Sequence, residues 1–594
     1  MAHNSSRRLP LLRWQYLRWV LVIPALPLAL WACNGHKLQT PTPVTQQETD
    51  FSVLVSPERA IDILFMVDNS PSMDPKQQAL AKNFPKMIAA LQQLPGGLPD
   101  VHIGVVSSNM GAGNGAMGGN CGNGLGDRGL LWGNDPNDLT ASVATGSAYP
   151  VTPAGCGLNS GARWIEDIQD PNNAGRIRNY DTTMQLQDVF SCLARAVGVA
   201  GCGEEHQLQA TRVALIPQTG INEANNGFLR QNAYLAIVLI TDEDDCSASN
   251  DNNQNDDMFN MGTKRDVGDT TSLRCAARGH LCGNAVIPDY DSSAGGVGYK
   301  GTGFSHPFSD CSAKFQLDPK NPDHVYLPLY DVQEMVDSVN YVKGTQAQQK
   351  ILVSGVIGWP PDPNTATYRI DKDSTSLPAS QQSLWDYMPI CSDPTQKSSD
   401  GNIYKAYGGL RLKKFIDAFA GQGQVFSICN SDFTNAMTQI GNAIVQKLKP
   451  GCVPYPLIDS DPNTPNITEP ECQVVDQIPC TTPGTGTCLQ SGFEETRLQE
   501  CKDGNGKILD PASLDSTNQT QAQLDAVLSA ISQDQRPCWY LAYDKGPAGC
   551  ASSYNGQKIS ALRKTDTVAP PGTFLAMQCL TCASPDQKCP ALTK

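Results

Sequence analysis

Clusters of basic residues are missing from this 594-residue sequence. Its 44 Lys and Arg stand against 59 Asp and Glu, a formal charge of −15, and they never gather into the patch that a phosphate backbone requires. Nucleic acid is thereby excluded as a partner. Histidine is scarce as well: His3, His36, His102, His206, His280, His306 and His324 are scattered, and none pairs with Cys or Glu at zinc-ligand spacing. The chain has no P-loop Gly-Lys-Ser/Thr, no serine-hydrolase elbow and no internal repeat. Beyond the N-terminus it also lacks an apolar run of the roughly 18 residues that a membrane span needs. What is present is 40% hydrophobic residues, enough for a core, together with 52 Gly, 42 Pro and only 17% charged residues. That length and texture imply two or more domains.

The N-terminus carries Arg7, Arg8, Arg13 and Arg18 ahead of the apolar stretch WVLVIPALPLALWA (residues 19–32), which ends at Cys33. A basic head followed by a short apolar run is the pattern of an export signal. Leu30-Trp31-Ala32-Cys33 resembles the lipobox of bacterial lipoproteins, which implies cleavage before Cys33, acylation of its thiol and a change of formal charge from −15 to −19. Asn34 then implies the outer membrane, facing the periplasm or the cell surface. Without Cys33, 20 cysteines remain, 10 in residues 34–449 and 10 in 450–594, so each segment can close its own disulfides in an oxidising compartment. Cys579-Leu-Thr-Cys582 has redox-pair spacing but no strand-to-helix context, and is expected to be structural.

Four regions are expected: a signal peptide (1–32), a lipid-anchored polar linker (33–56), an α/β domain with insertions (57–449) and a cysteine-rich module of small β elements (450–594). The α/β domain is predicted from buried strands IDILFMV (61–67), VHIGVVS (101–107), YLAIVLIT (234–241), 351–357 and 425–428. These alternate with amphipathic helices, the first opened by Asp74-Pro75 and carrying Leu80, Phe84, Met87, Ile88, Leu91 and Leu94 on one face across Pro85. Further helices are expected at 184–197, 330–342, 403–420 and 433–448, with one near 521–532 in the module. Residues 109–181, with Cys121 and Cys156, are expected to be a long stapled loop. Strands alternating with helices call for a doubly wound parallel sheet covered on both faces.

At the carboxyl end of the first strand stands Asp68-Asn69-Ser70-Pro71-Ser72, and the strand YLAIVLIT ends in Asp242. In an open parallel sheet ligands bind at such strand ends, and one carboxylate with two hydroxyls offers hard oxygen donors to a small divalent cation. This pattern resembles the von Willebrand factor type A domain and its metal-ion-dependent adhesion site. The resemblance implies a Rossmann-like fold and Mg2+, or alternatively Mn2+ or Ca2+, held by Asp68, Ser70, Ser72 and Asp242. It also implies an acidic side chain of a protein or peptide partner completing the metal's shell, and no catalysis. Where that family has a threonine from a third loop, this chain has Gly201-Cys202-Gly203-Glu204-Glu205. Either Thr182 or Thr183 reaches in, or Glu204 or Glu205 substitutes, or the loop contributes nothing. Asp244 is a further candidate, as a charge just behind the ligands.

Three other readings attach to the same residues. The Asp-x-Ser-x-Ser turn also suits a plain helix cap. An aspartyl nucleophile for phosphoryl transfer would want a second Asp at position 70, where Ser70 stands. A structural envelope protein, stapled by disulfides and holding its cation permanently, is the remaining alternative. The acidic stretch after Asp242 lacks the glycine and final glutamate of an EF-hand loop, and is expected to be a solvated loop.

Overall fold

The computed structural model describes residues 48–55, 60–94, 97–111, 126–134, 156–170, 175–219, 222–231, 233–248, 270–282, 303–313, 329–344, 347–372, 385–397, 403–419 and 424–448. Beyond these it describes 451–453, 455–458, 469–479, 486–489, 493–545, 550, 554–564 and 574–582. The export signal and Cys33 lie outside the described residues.

The α/β domain is built on a seven-stranded sheet. In spatial order its strands are Val425–Ser427, Ile351–Ile357, Tyr234–Ile240, Ala60–Val67, Asp100–Ser107, Ile165–Gln169 and Arg176–Arg178. The first five are mutually parallel, and the last two add an antiparallel edge. Both faces of the four parallel strands inside Val425–Ser427 are buried, as their near-continuous apolar runs require. Ile61, Ile63, Phe65 and Val67 point into one core, where helices Asp74–Leu91, Leu186–Ala196 and Thr434–Leu448 pack; Leu64 and Met66 point into the other, under helices Gln207–Leu215, Val332–Tyr341 and Leu410–Asp417. Phe84 stacks on Phe190 at 3.6 Å between ring centroids, joining the first two of these helices over Phe65. The doubly wound α/β class expected from the sequence is therefore the class observed.

Asp62 interrupts the apolar run of the first strand because it ties the opposite end of the sheet together. Its carboxylate accepts from the Arg230 backbone N–H and Nε, both at 2.7 Å. Arg230 in turn donates to the carbonyls of Ile61 and Asp100. Asp68 and Asp242 lie at the other end of the same strands.

Several segments of the α/β domain differ from the sequence reading. The supposed loop 109–181 supplies the two edge strands, and Cys156 bonds Cys192 of the following helix. The expected helix over 403–420 is a strand, Ile403–Ala406, followed by a shorter helix, Leu410–Asp417. Gly408-Gly409 separate them, and a Cβ on Gly408 would lie 2.3 Å from the Tyr387 hydroxyl. Helix Gln207–Leu215 was not foreseen, because its buried face includes the polar Gln207 and Thr211.

The C-terminal module holds most of a six-stranded sheet in which Phe574–Cys582, Cys472–Pro479, Phe493–Glu500, Cys538–Tyr543 and Gln557–Leu562 lie side by side. The strand Glu48–Val55, in the range read as linker, takes the outer edge beside Phe574–Cys582. Val474, Leu498, Trp539, Leu541, Ile559, Leu575 and Met577 form the module's own core. Among its described residues Cys452–Cys550, Cys472–Cys579 and Cys501–Cys538 are disulfides that staple it, so Cys579 pairs across strands and not with Cys582. With Cys156–Cys192, Cys246–Cys275, Cys282–Cys311 and Cys391–Cys429 in the α/β domain, none of these bonds crosses residue 450.

Candidate metal centre

The chain leaves the central strand Ala60–Val67 toward one side of the sheet and later returns to place Tyr234–Ile240 on the other. The switch point therefore lies between these two strands, where a doubly wound sheet leaves a crevice at its carboxyl edge. Val67 pairs with Ile240, and the Asp68 N–H donates to the Ile240 carbonyl at 2.9 Å. The residues that follow, Asp68 on one strand and Thr241-Asp242 on the other, are side by side by construction.

Asp68 is fully buried. Its Oδ1 accepts from the Ser70 backbone N–H at 2.8 Å and the Ser108 hydroxyl at 3.3 Å, and its Oδ2 from the Thr241 hydroxyl at 2.7 Å. Ser70 and Ser72 turn their hydroxyl oxygens to within 3.1 Å of each other, and Ser72 donates to Asp242 Oδ1 at 3.1 Å. Thus Asp68, Ser70, Ser72 and Asp242, separated by up to 174 positions in the sequence, share one site. Gln77, on the first helix, locks the turn: its amide donates to the Asp68 carbonyl and, at 2.8 Å, to the Gly198 carbonyl of the third loop.

That third loop comes close. The Gly201 N–H donates to the Asn69 carbonyl at 2.8 Å, and a Cβ on Gly201 would lie 2.1 Å from Asn69 Oδ1, so the contact depends on glycine. Glu204 and Glu205, next along, are buried, and both oxygens of Glu204 and Oε1 of Glu205 have no hydrogen-bond partner among the described residues. Burial pushes the Glu204 carboxyl up to about 8 against the pull of Arg274. Glu205 is raised well above the ordinary range by burial and by the charges of Glu243 and Asp68. Of the two, Glu205 is the one on which the Asp68 charge bears. Asp68 itself is raised to about 6 by burial, then by Asp242, with the hydrogen bonds from Thr241 and Ser70 opposing. Glu243, raised to about 8 by burial and by Asp242 and Asp68, shares a hydrogen bond with Glu205.

The remaining candidates are placed elsewhere. Thr182 and Thr183 are exposed, and Thr183 is bonded through both its N–H and its hydroxyl to Asp181. Asp244 accepts from the backbone N–H groups of Arg411 and Leu412 and contacts His280 Nε2, so it caps helix Leu410–Asp417. Asp245 accepts from the Leu208 N–H and from Arg411 Nε and Nη2. The acidic stretch after Asp242, expected to be a solvated loop, is instead built into the protein here.

Two further side chains take part, and of these Lys76 carries no sequence signal. Thr241 supplies a hydroxyl to Asp68 and accepts from Gln207 Nε2 at 3.0 Å. Lys76 reaches back from the first turns of its helix to ion-pair with Asp242 Oδ2.

Among the described residues no three His, Cys, Asp or Glu side chains converge on one metal position. The donors here are instead hydroxyls mixed with carboxylates, all oxygen. Buried carboxylates held above their ordinary pKa, as those of Asp68, Glu205 and Glu243 are here, are groups that an added positive charge would stabilise. The residue set therefore fits a hard divalent cation, with Ser70, Ser72, Asp68 and Asp242 as the residues to hold it and Glu205 beside them.

No protein-family model matches the chain, and no curated protein matches it. Solved structures overlap it loosely. One is a von Willebrand factor type A protein from Catenulispora acidiphila, at 9% identity over 91% of this chain and a TM-score of 0.22. Another is the pilus adhesin SpaC from Lactobacillus rhamnosus GG in an open conformation, at 8% identity, 90% coverage and 0.24. A third is the pilus adhesin RrgA from Streptococcus pneumoniae, at 10%, 90% and 0.26. The chain spans 62%, 41% and 58% of these three, respectively.

Proposed function

We propose that this chain is a non-catalytic recognition protein that holds a divalent cation, Mg2+ or Mn2+ foremost, at the switch point of its α/β domain. Through that cation it binds a protein or peptide partner offering a carboxylate. The observation that carries the reading is the convergence of Asp68, Ser70, Ser72 and Asp242 at the carboxyl ends of two adjacent parallel strands. When bound, the cation supplies a Lewis-acidic centre to which an anionic oxygen can bind. The chain's own residues do the rest: Thr241, Ser108 and the Ser70 N–H orient the Asp68 carboxylate, Gln77 fixes the loop that carries it, and Ser72 orients Asp242. An aspartyl nucleophile is disfavoured because Ser70 stands where that chemistry wants a second Asp.

Glu205 favours a second reading, in which the site is self-contained. A carboxylate beside the cation lowers the net charge presented to a partner, and the ion then serves structure alone. One experiment separates the two. Mn2+ titrated calorimetrically into chelator-stripped protein is expected to bind saturably, one ion per chain, and an acidic peptide is expected to bind only with the ion present. Absence of Mn2+ binding would sink both readings. Mn2+ binding that raises the melting temperature while no carboxylate ligand competes for it would select the structural one. The proposal extends to the anchor, whose support is the Arg-rich head and the Leu30–Cys33 motif. We expect a mature N-terminal peptide beginning at acylated Cys33, and mass spectrometry finding an uncleaved or unmodified Cys33 would refute it.

A further inference from the structure

Lys76 stands on the first helix, eight residues after Asp68, and its side chain is 5% exposed. The ammonium ion-pairs with Asp242 Oδ2 while Ser72 donates to Asp242 Oδ1, so the two oxygens of one carboxylate already face a positive charge on one side and the hydroxyl pair on the other. The seat of the ammonium is made by a different part of the chain. The antiparallel pair Cys391–Lys397 and Ile403–Ala406 brings the Lys405 carbonyl to 3.1 Å from Nζ and the Tyr404 ring to 5.4 Å, and the Tyr407 N–H donates to the Asp242 carbonyl at 2.8 Å. The disulfide Cys391–Cys429 ties this pair down beside the site.

We propose that Lys76 is a built-in competitor for the cation: its ammonium neutralises Asp242 in the ion-free protein and sets how weakly the site takes a divalent ion. The inference rests on the cation-site reading given above. A divalent ion shared by Ser70, Ser72 and Asp242 has to sit on the same carboxylate as a buried ammonium, and like charges drawn to one carboxylate oppose each other in a poorly screened interior. The ion therefore binds tightly only when Lys76 is released from Asp242, and the ribbon carrying Tyr404 and Lys405 is what holds Lys76 there. Displacement of that ribbon, by a docking partner for example, strengthens ion binding with no change in the ligands themselves.

The test is Mn2+ binding to the full chain, after chelation, by calorimetry and by loss of the free Mn2+ paramagnetic resonance signal. Wild type is compared with Lys76→Met and Lys76→Arg. Lys76→Met is expected to bind Mn2+ at least tenfold more tightly, and Lys76→Arg within about threefold of wild type, since only the methionine removes the charge. In chelator Lys76→Met should melt below wild type, because Asp242 is left buried and unpaired, and Mn2+ should raise its melting temperature by more than it raises that of wild type. Equal or weaker Mn2+ affinity in a natively folded Lys76→Met would overturn the proposal and leave the cation site standing. Silence from both proteins would overturn the cation site, and this inference with it. Should Lys76→Met fail to fold, Tyr404→Leu decides: it loosens the ammonium's seat without touching Asp242, and unchanged affinity there would count against the proposal.

Discussion

Asp68→Asn is expected to weaken Mn2+ binding by roughly a hundredfold or more, the upper end of what loss of a supporting group at a metal site costs, while leaving the melting temperature of the ion-free protein unchanged or higher. The two halves of that result have one cause. Asp68 is buried beside Asp242, and burial with that neighbouring charge raises its carboxyl to about 6, so near neutral pH the fold holds a charge that it disfavours. Asparagine keeps a carbonyl to accept from Ser70 N–H or Thr241 and removes the repulsion with Asp242. Stability and function therefore part company at this residue, as expected of a position kept for a ligand. Calorimetric titration and a thermal melt on the same samples check both halves. A variant that loses stability together with binding would mark Asp68 as a structural cap.

Arg411→Met is expected to cost about 3–5 kcal/mol of folding free energy, the range for breaking a buried ion pair from one side. The guanidinium is 2% exposed and donates to Asp245 Oδ2 through Nε at 3.1 Å and Nη2 at 2.9 Å, with Nη2 also on the Tyr330 carbonyl at 2.6 Å. Asp245 in turn accepts from the Leu208 N–H at the start of helix Gln207–Leu215, and its neighbour Asp244 caps Arg411's own helix. Methionine fills much of the volume but leaves Asp245 charged and unpaired next to Asp244. Denaturant melts of Arg411→Met, Asp245→Asn and the double variant form the check. The double variant should recover part of the loss, and strictly additive losses would mean that the pair is not the source of the stability.

The parts of this protein that were legible in its sequence are those in which one physical rule acts alone. Ala60–Val67, Tyr234–Ile240 and Ile351–Ile357 are apolar at nearly every position because both of their faces are covered, and that burial is visible in one dimension. Asp68, Ser70, Ser72 and Asp242 were legible because they sit where such strands stop. Helix Gln207–Leu215 was not, since its inward Gln207 and Thr211 are polar residues that donate to the Thr241 hydroxyl and to the Gln207 carbonyl. The 403–420 segment misled because its apolar spacing hides a break at Gly408-Gly409 whose cause is the Tyr387 hydroxyl, a tertiary neighbour. Lys76 was invisible for a related reason. On the sequence it is an ordinary helix-surface lysine, and only the fold brings it to Asp242, 166 positions away.

That separation has a consequence for how the protein reaches its working form. The oxygen donors come from two segments more than 160 residues apart, joined only when Val67 and Ile240 pair in register. A chain that has not closed its central sheet has the Asp-x-Ser-x-Ser turn but no Asp242 beside it, and hence no site. A divalent ion bound there, as proposed above, would favour the closed chain over the open one, so by mass action its free concentration would enter the folding equilibrium. The surrounding supply of divalent ions would then act as a chemical potential that selects finished molecules from unfinished ones.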